Sequence, residues 1–277
     1  MPRMSQVGEK RGVEYLDAIR KLNGGVKDDD PKITVGFGYY FFLIVVIVLN
    51  LAIVKTAISQ EVYAQTGFEE FSVGNLPKDW EVIGGDFEVS GDTVKTDKKA
   101  LAILGGGDGD GLGVPIETEN PIISVEFWVY IEGGGRSFNL KVATADGIGE
   151  NTGCTYINWD AGIVRLYDGA AWQLIGDFET DTWKYVRVIA DVGKSEFDFY
   201  VGDDRNDALG TKPEKGLPFR NAALGPVAKW VAFYTWGITA PGYVDDLLIY
   251  EGADPLDLAV DPNGKLTTLW GHVKQGL

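Results

Sequence analysis

From Gln65 onward the chain is a succession of short runs of β-branched and aromatic residues, several of them strictly alternating, and this period of two confines it to sheet. Ser124-Val125-Glu126-Phe127-Trp128-Val129-Tyr130 and Glu196-Phe197-Asp198-Phe199-Tyr200-Val201 each place every second side chain on one face. Comparable runs lie at Trp80–Ile83, Phe87–Val89, Ala100–Leu104, Phe138–Ala143, Thr155–Trp159, Ile163–Tyr167, Trp172–Ile175, Tyr185–Val192, Trp230–Tyr234 and Tyr243–Tyr250. About a dozen short strands separated by glycine and acidic turns, with no long helical period between them, predict one all-β antiparallel sandwich.

The chain has 277 residues, 45% hydrophobic and 24% charged, close to a globular average and far from the composition of a disordered chain. Lys plus Arg number 25 against 41 Asp plus Glu, so the net charge of −16 repels a polyphosphate backbone; no nucleic-acid partner is expected. The single cysteine, Cys154, cannot close an internal disulfide. With one histidine, His272, no Cys/His metal cluster can be built, so haem and zinc are excluded as cofactors.

Near the amino terminus Ile33–Val54 runs for 22 residues without a charge or a polar stripe. At a rise of 1.5 Å per residue it would span about 33 Å, enough for a ~30 Å hydrocarbon core. It reads as a transmembrane helix, with Tyr39 and Tyr40 near one interface and Asn50 as an amide that would seek a partner helix or the outer interface. Seven basic residues precede the span, whereas Lys55 alone follows it before Lys78, so the amino terminus is expected in the cytoplasm. A cleaved signal peptide competes, since Val62-Tyr63-Ala64 has small residues in suitable places; the long arm and long apolar core favour an uncleaved anchor. Within the arm, Val13, Leu16, Ile19 and Leu22 outline a short amphipathic helix closed by Asn23-Gly24-Gly25. The expected organisation is therefore a cytoplasmic arm (1–32), the span (33–54), a linker (55–66), a sandwich (67–252) and a tail (253–277). Leu266, Leu269, Trp270 and Val273 give the tail a helical period.

Three stretches carry a family resemblance: IISVEFWVYIEGGGRSFNLKVAT, then YINWDAGIVRLYDGAAWQLIGDFETDTWKYVRVIADVGKSEFDFYVGDD, and finally GYVDDLLIYEG. Together they resemble a concanavalin A-like, or laminin-G-like, jelly roll, a scaffold of lectins, carbohydrate-binding modules, adhesion domains and some glycosidases. The resemblance implies a two-sheet jelly-roll sandwich and leaves the activity open. It also implies a structural calcium ion where a first-strand Phe68-Glu69 meets a last-strand Asp245-Asp246; the alternative is an exposed acidic group without an ion.

Sugar binding on such a scaffold uses aromatic faces with amides and carboxylates beside them. Tyr156, Asn158, Trp159 and Asp160 cluster suitably, and Trp172 and Trp236 lie beside expected loops. Catalysis has no comparable signal. Glu196 and Asp198 share a strand face, but the E-x-D-x-E type of strand carried by the scaffold's hydrolases is absent, and Gly105–Gly111 lacks the Lys-Ser/Thr of a nucleotide loop. The expected function is a non-catalytic, membrane-anchored lectin-like domain outside the cytoplasm that recognises a surface glycan or a neighbouring protein. An accessory subunit of a larger membrane complex, packed on partner membrane proteins, is the alternative. The acidity belongs to the outer part, since from Gln65 onward 34 acidic residues face 17 basic ones.

Overall fold

The computed structural model describes residues 60–149 and 153–256. These residues form two antiparallel sheets stacked as a sandwich. In chain order the strands are β1 (Val62–Thr66), β2 (Glu81–Val82), β3 (Asp86–Ser90), β4 (Ala100–Gly105), β5 (Gly111–Pro115), β6 (Ile122–Ile131), β7 (Arg136–Ala143) and β8 (Ile157–Asp160). There follow β9 (Ile163–Tyr167), β10 (Trp172–Asp177), β11 (Lys184–Asp191), β12 (Glu196–Gly202), β13 (Glu214–Pro218), β14 (Trp230–Tyr234) and β15 (Gly242–Glu251). A single turn of helix, α1 (Arg205–Gly210), sits between β12 and β13, started by the Asp204 carboxylate, which accepts from Asp207 N–H.

Sheet A is ordered β13-β12-β11-β6-β15-β4-β3, with β1 also paired to β15; sheet B is ordered β10-β9-β8-β7-β14-β5-β2. Alternation explains which face each strand buries. On β6 the side chains of Val125, Phe127 and Val129 enter the core, while on β7 and β8 those of Phe138, Leu140, Ile157 and Trp159 do the same from the other sheet. Phe127 of sheet A meets Trp159 and Phe233 of sheet B edge-on, with centroids 6.1 Å apart in both pairs. Truncating such a buried ring to alanine costs about 3–5 kcal/mol through lost transfer energy and the cavity left behind.

The outer face of sheet A carries a buried ionic cluster. Glu126, fully buried, accepts Arg187 Nε at 3.1 Å and Tyr250 Oη at 2.5 Å on one oxygen. Its other oxygen accepts Tyr185 Oη at 2.6 Å and Arg205 Nε at 2.8 Å. Burial opposes ionisation of this carboxyl, but the bonds from Arg205, Tyr185 and Tyr250 outweigh it and hold its pKa below the usual carboxylate value. The same two arginines reach onward to backbone carbonyls after β15, Arg187 to Ala253 at 2.6 Å and Arg205 to Leu256 at 3.0 Å. Gln60 Nε2 donates to Asp254 carbonyl at 3.1 Å, so the two ends of the described chain lie side by side.

Each of the dozen expected runs is a strand; β1, β5 and β13 were not anticipated. Among the described residues no helix is long and apolar enough to cross a membrane. The apolar run Ile33–Val54 with Tyr39, Tyr40 and Asn50, the amphipathic stretch of the arm and the helical period of the tail lie outside the described residues.

Candidate functional site

The outer face of sheet B is built by the side chains that alternate with its core residues. β7 contributes Asn139 and Lys141, β8 contributes Asn158 and Asp160 with Tyr156 just before it, and β9 contributes Arg165 and Tyr167. β10 begins with Trp172 directly opposite Tyr167, and β14 ends with Tyr234, followed by Trp236. Ile148 lies over Gly113, where even a Cβ would collide with it, and so covers the β5 end of the face.

Contacts on this face close into a ring. Trp172 and Trp236 are stacked, with centroids 5.9 Å apart and planes 24° from parallel. The Arg165 guanidinium lies 4.1 Å from the Trp172 ring and the Arg136 guanidinium 4.4 Å from the Trp236 ring. Asp160 joins the two arginines, paired with Arg165 and 3.6 Å from Arg136 Nε. Cations over aromatic faces contribute about 0.5–2 kcal/mol each, more as water is excluded. Trp172, Trp236, Arg136 and Arg165 all keep partial exposure.

Beneath and beside the ring lies a second aromatic layer. Tyr156 contacts Tyr167, Trp172 and Tyr234, at centroid distances of 6.4, 5.9 and 6.1 Å. Lys141, fully buried, places its ammonium 3.0 Å from the Tyr234 ring centroid and donates to Ile148 carbonyl at 3.4 Å. Arg220 lies 5.0 Å from both the Tyr156 and Tyr167 rings. Burial pushes the Tyr156 hydroxyl well above its ordinary pKa, with Tyr234 adding to the rise and Arg220 opposing it. Burial likewise lowers the Arg165 pKa; Asp160 opposes that shift and Arg136 adds to it. Asn139 donates to Tyr234 carbonyl at 3.1 Å, and its buried Oδ1 accepts nothing.

Of the six residues expected to meet a sugar, five converge here: Tyr156, Asn158, Asp160, Trp172 and Trp236. Trp159 does not. It is 1% exposed and packs among Phe127, Phe138 and Phe178, because the strand period turns it inward when Asn158 faces outward. Asn158 is fully buried beneath the ring, where its Oδ1 accepts Arg165 Nε at 3.1 Å. Sequence reasoning missed the cations Arg136, Lys141, Arg165 and Arg220, and also Asn139, Tyr167 and Tyr234. The signal that could have found most of them was the two-residue step along β7 and β9 from residues already in view.

The acidic residues expected to hold calcium stand near one another but point into loop backbone. Asp245 is fully buried; its Oδ2 accepts Lys95 N at 3.0 Å and Thr96 N at 2.9 Å, and its Oδ1 accepts Asp246 N at 2.8 Å. Glu69 accepts the backbone N–H groups of Lys98 and Lys99, both at 2.7 Å. The Lys99 ammonium sits on the carbonyls of Glu69 and Phe71 at 2.7 and 2.6 Å, so a cation of the protein's own already binds these hard oxygens. Among the described residues no three carboxylate, histidine or cysteine side chains converge as a metal-binding group, and a calcium ion does not fit the donors in this arrangement. Burial raises the pKa of Asp245 to about 7 and that of Asp246 to about 6.

No protein-family model matches the chain. No curated protein matches it. Solved structures do resemble it. A sialidase aligns over 69% of this chain and 18% of its own length, at 11% identity and a TM-score of 0.51. Domain 4 of a GH43 extracellular arabinanase from Geobacillus stearothermophilus aligns over 71% of this chain and 95% of its own, at 16% identity and a TM-score of 0.44. The chain thus spans under a fifth of the sialidase, and the likeness is one of β-sandwich fold.

Proposed function

We propose that this chain is a membrane-tethered jelly-roll module of concanavalin A-like type that binds a glycan, without catalysis, through the outer face of sheet B. The observation that carries the reading is the ring of Trp172, Trp236, Arg136, Asp160 and Arg165: partly exposed aromatic edges, fixed by cations, with hydrogen-bonding groups beside them. Pyranose recognition needs this combination of apolar surface and rigid polar groups.

The carboxylates support a binding role over hydrolysis. Glycosidases place two available carboxyl groups about 5 to 9.5 Å apart across a groove. Asp160 is committed to two guanidinium groups, Glu126 is fully buried in its own cluster, and Asp198 accepts Gly216 N at 3.0 Å on the edge of sheet A. Anchoring rests on the 22-residue uncharged run Ile33–Val54 and on the basic residues before it, which would leave the sandwich outside the cytoplasm.

The test is affinity electrophoresis of the full chain in detergent through gels containing xylan, arabinan, dextran, polygalacturonate or dextran sulfate. Retardation by at least one polysaccharide, lost on Trp172→Ala, is expected. Equal mobility in all of them would sink the glycan reading.

A further inference from the structure

The charges on the sheet B face are at odds with the domain that carries them. From Gln65 onward acidic residues outnumber basic ones, 34 to 17, yet this face gathers Arg136, Lys141, Arg165 and Arg220 around the single carboxylate of Asp160. The next nearest acids do not restore balance. Asp168, in the turn between β9 and β10, accepts the N–H groups of Ala170 and Ala171 at 2.8 and 2.7 Å and is also bonded to Gln173. Asp108 acts on Tyr156 only as the weakest of its charge interactions. Gathering like charges costs free energy unless an opposite charge joins them, and an acidic surface had many carboxylates to supply.

Arg220 is the member of this group that awaits an anion. Among the described residues no carboxylate lies within ion-pair distance of its guanidinium, whereas Asp160 serves both Arg136 and Arg165. Its position is nonetheless held. Arg220 N donates to Cys154 carbonyl at 2.8 Å, and the β9–β10 turn presses on its carbonyl at Gly169, where φ is +94° and a Cβ would collide with it. The side chain then lies over two tyrosine rings, 5.0 Å from each, and stays partly exposed. A guanidinium fixed in this way offers a planar fork of donors, the geometry that suits a carboxylate or a sulfate.

Resting on the glycan-binding reading above, we propose that the ligand of this face is an anionic glycan, whose carboxylate or sulfate pairs with Arg220 while its ring lies along the Tyr156, Tyr167 and Trp172 edges. The unpartnered Oδ1 of Asn139 marks the floor below as one where a polar group is left without a mate. A neutral polysaccharide would leave the accumulated positive charge uncompensated.

The experiment compares polygalacturonate with its methyl ester, the same polymer with its charge removed, using the full chain in detergent and isothermal titration. Dextran and dextran sulfate form a parallel pair. Affinity for at least one acidic polymer should exceed that for its neutral partner by about tenfold or more, as a charged hydrogen-bonded pair implies. Preference within the first pair alone assigns a carboxylate, and within the second alone a sulfate. Arg220→Gln should abolish the preference without shifting the melting temperature by more than a few degrees, and Arg220→Lys should keep part of it. Equal affinity within both pairs, or a preference that survives Arg220→Gln, overturns the anionic assignment. Binding to neutral xylan or arabinan alone overturns it too and leaves the glycan reading standing, whereas binding to none of the polymers removes both.

Discussion

Trp172 and Trp236 stack at 5.9 Å although their parent strands β10 and β14 are separated in sheet B by β9, β8 and β7. Two indoles reaching toward each other across three strands make a roof over the buried Asn158 and bring Arg136 and Arg165 with them. Trp172→Ala removes the stack, one cation contact and the contacts to Tyr156 and Tyr167 together. Polysaccharide affinity should fall by about tenfold or more, in line with aromatic hot spots at binding surfaces. The domain should lose only about 1–2 kcal/mol, because the ring is partly exposed and outside the main core. Unchanged affinity in the variant would remove Trp172 from the site.

Glu126 anchors the opposite face. Substituting Gln leaves Arg187, 3% exposed, without its counter-charge and weakens the bonds from two tyrosines. Breaking a buried pair from one side costs about 3–5 kcal/mol, which at roughly 2–4 °C per kcal/mol for a domain of this size lowers the melting temperature by about 6–20 °C. Calorimetry on Glu126→Gln checks this, and a shift below 2 °C would show that the cluster contributes no net stability.

Asp245 sets a pH dependence with a definite sign. Its pKa is raised to about 7, first by burial and then by Asp246, against the pull of the Thr96, Lys95 and Asp246 amides. Asp246 is raised to about 6, by burial first and with Asp97 adding to it. Folded chains therefore hold protons that unfolded chains have released above their ordinary value of 3.8, so stability falls as pH rises toward 7. Glu126 is shifted the other way and loses its contribution only below its ordinary 4.5, outside a scan from about pH 5 to 7.5. The melting temperature should decline across that scan, and Asp245→Asn, which cannot ionise, should flatten the decline. A wild-type melting temperature that rises over the same interval contradicts the assignment.

Cys154 should be inert. It is fully buried, and burial pushes its thiol up to about 11 against the opposing influence of Lys141 and Arg220. A maleimide should label it only after denaturation; rapid labelling of the folded protein would mean that the sheet B face opens readily.

Much of the sandwich was legible because alternation is a local signal. The β6 run Ile122–Ile131 and the β12 run around Phe197 and Phe199 show their buried face in the sequence itself. β5, with Gly111 and Gly113 among its five residues, and β13, with Lys215 and Gly216, lack that signal and are strands because of their neighbours β14 and β12. Clustering of Tyr156, Asn158 and Asp160 located the face, but proximity along the chain also swept in Trp159, which the strand period turns inward. The cations were invisible for a different reason: Arg136, Arg165 and Arg220 meet the aromatics only through strand pairing and a long loop return, and no local pattern encodes that. At the Asp245-Asp246 end the residues were in view, but that their oxygens would be taken by loop amides depended on how the 91–99 loop folds back.

The most direct test of the sheet B face as the binding surface is hydrogen–deuterium exchange of the full chain with and without the polysaccharide that retards it. Slowed exchange over residues 156–160, 165–173, 220–221 and 234–237 is expected, with sheet A unchanged. Slowed exchange confined to sheet A strands, or none at all under saturating polysaccharide, would contradict the assignment.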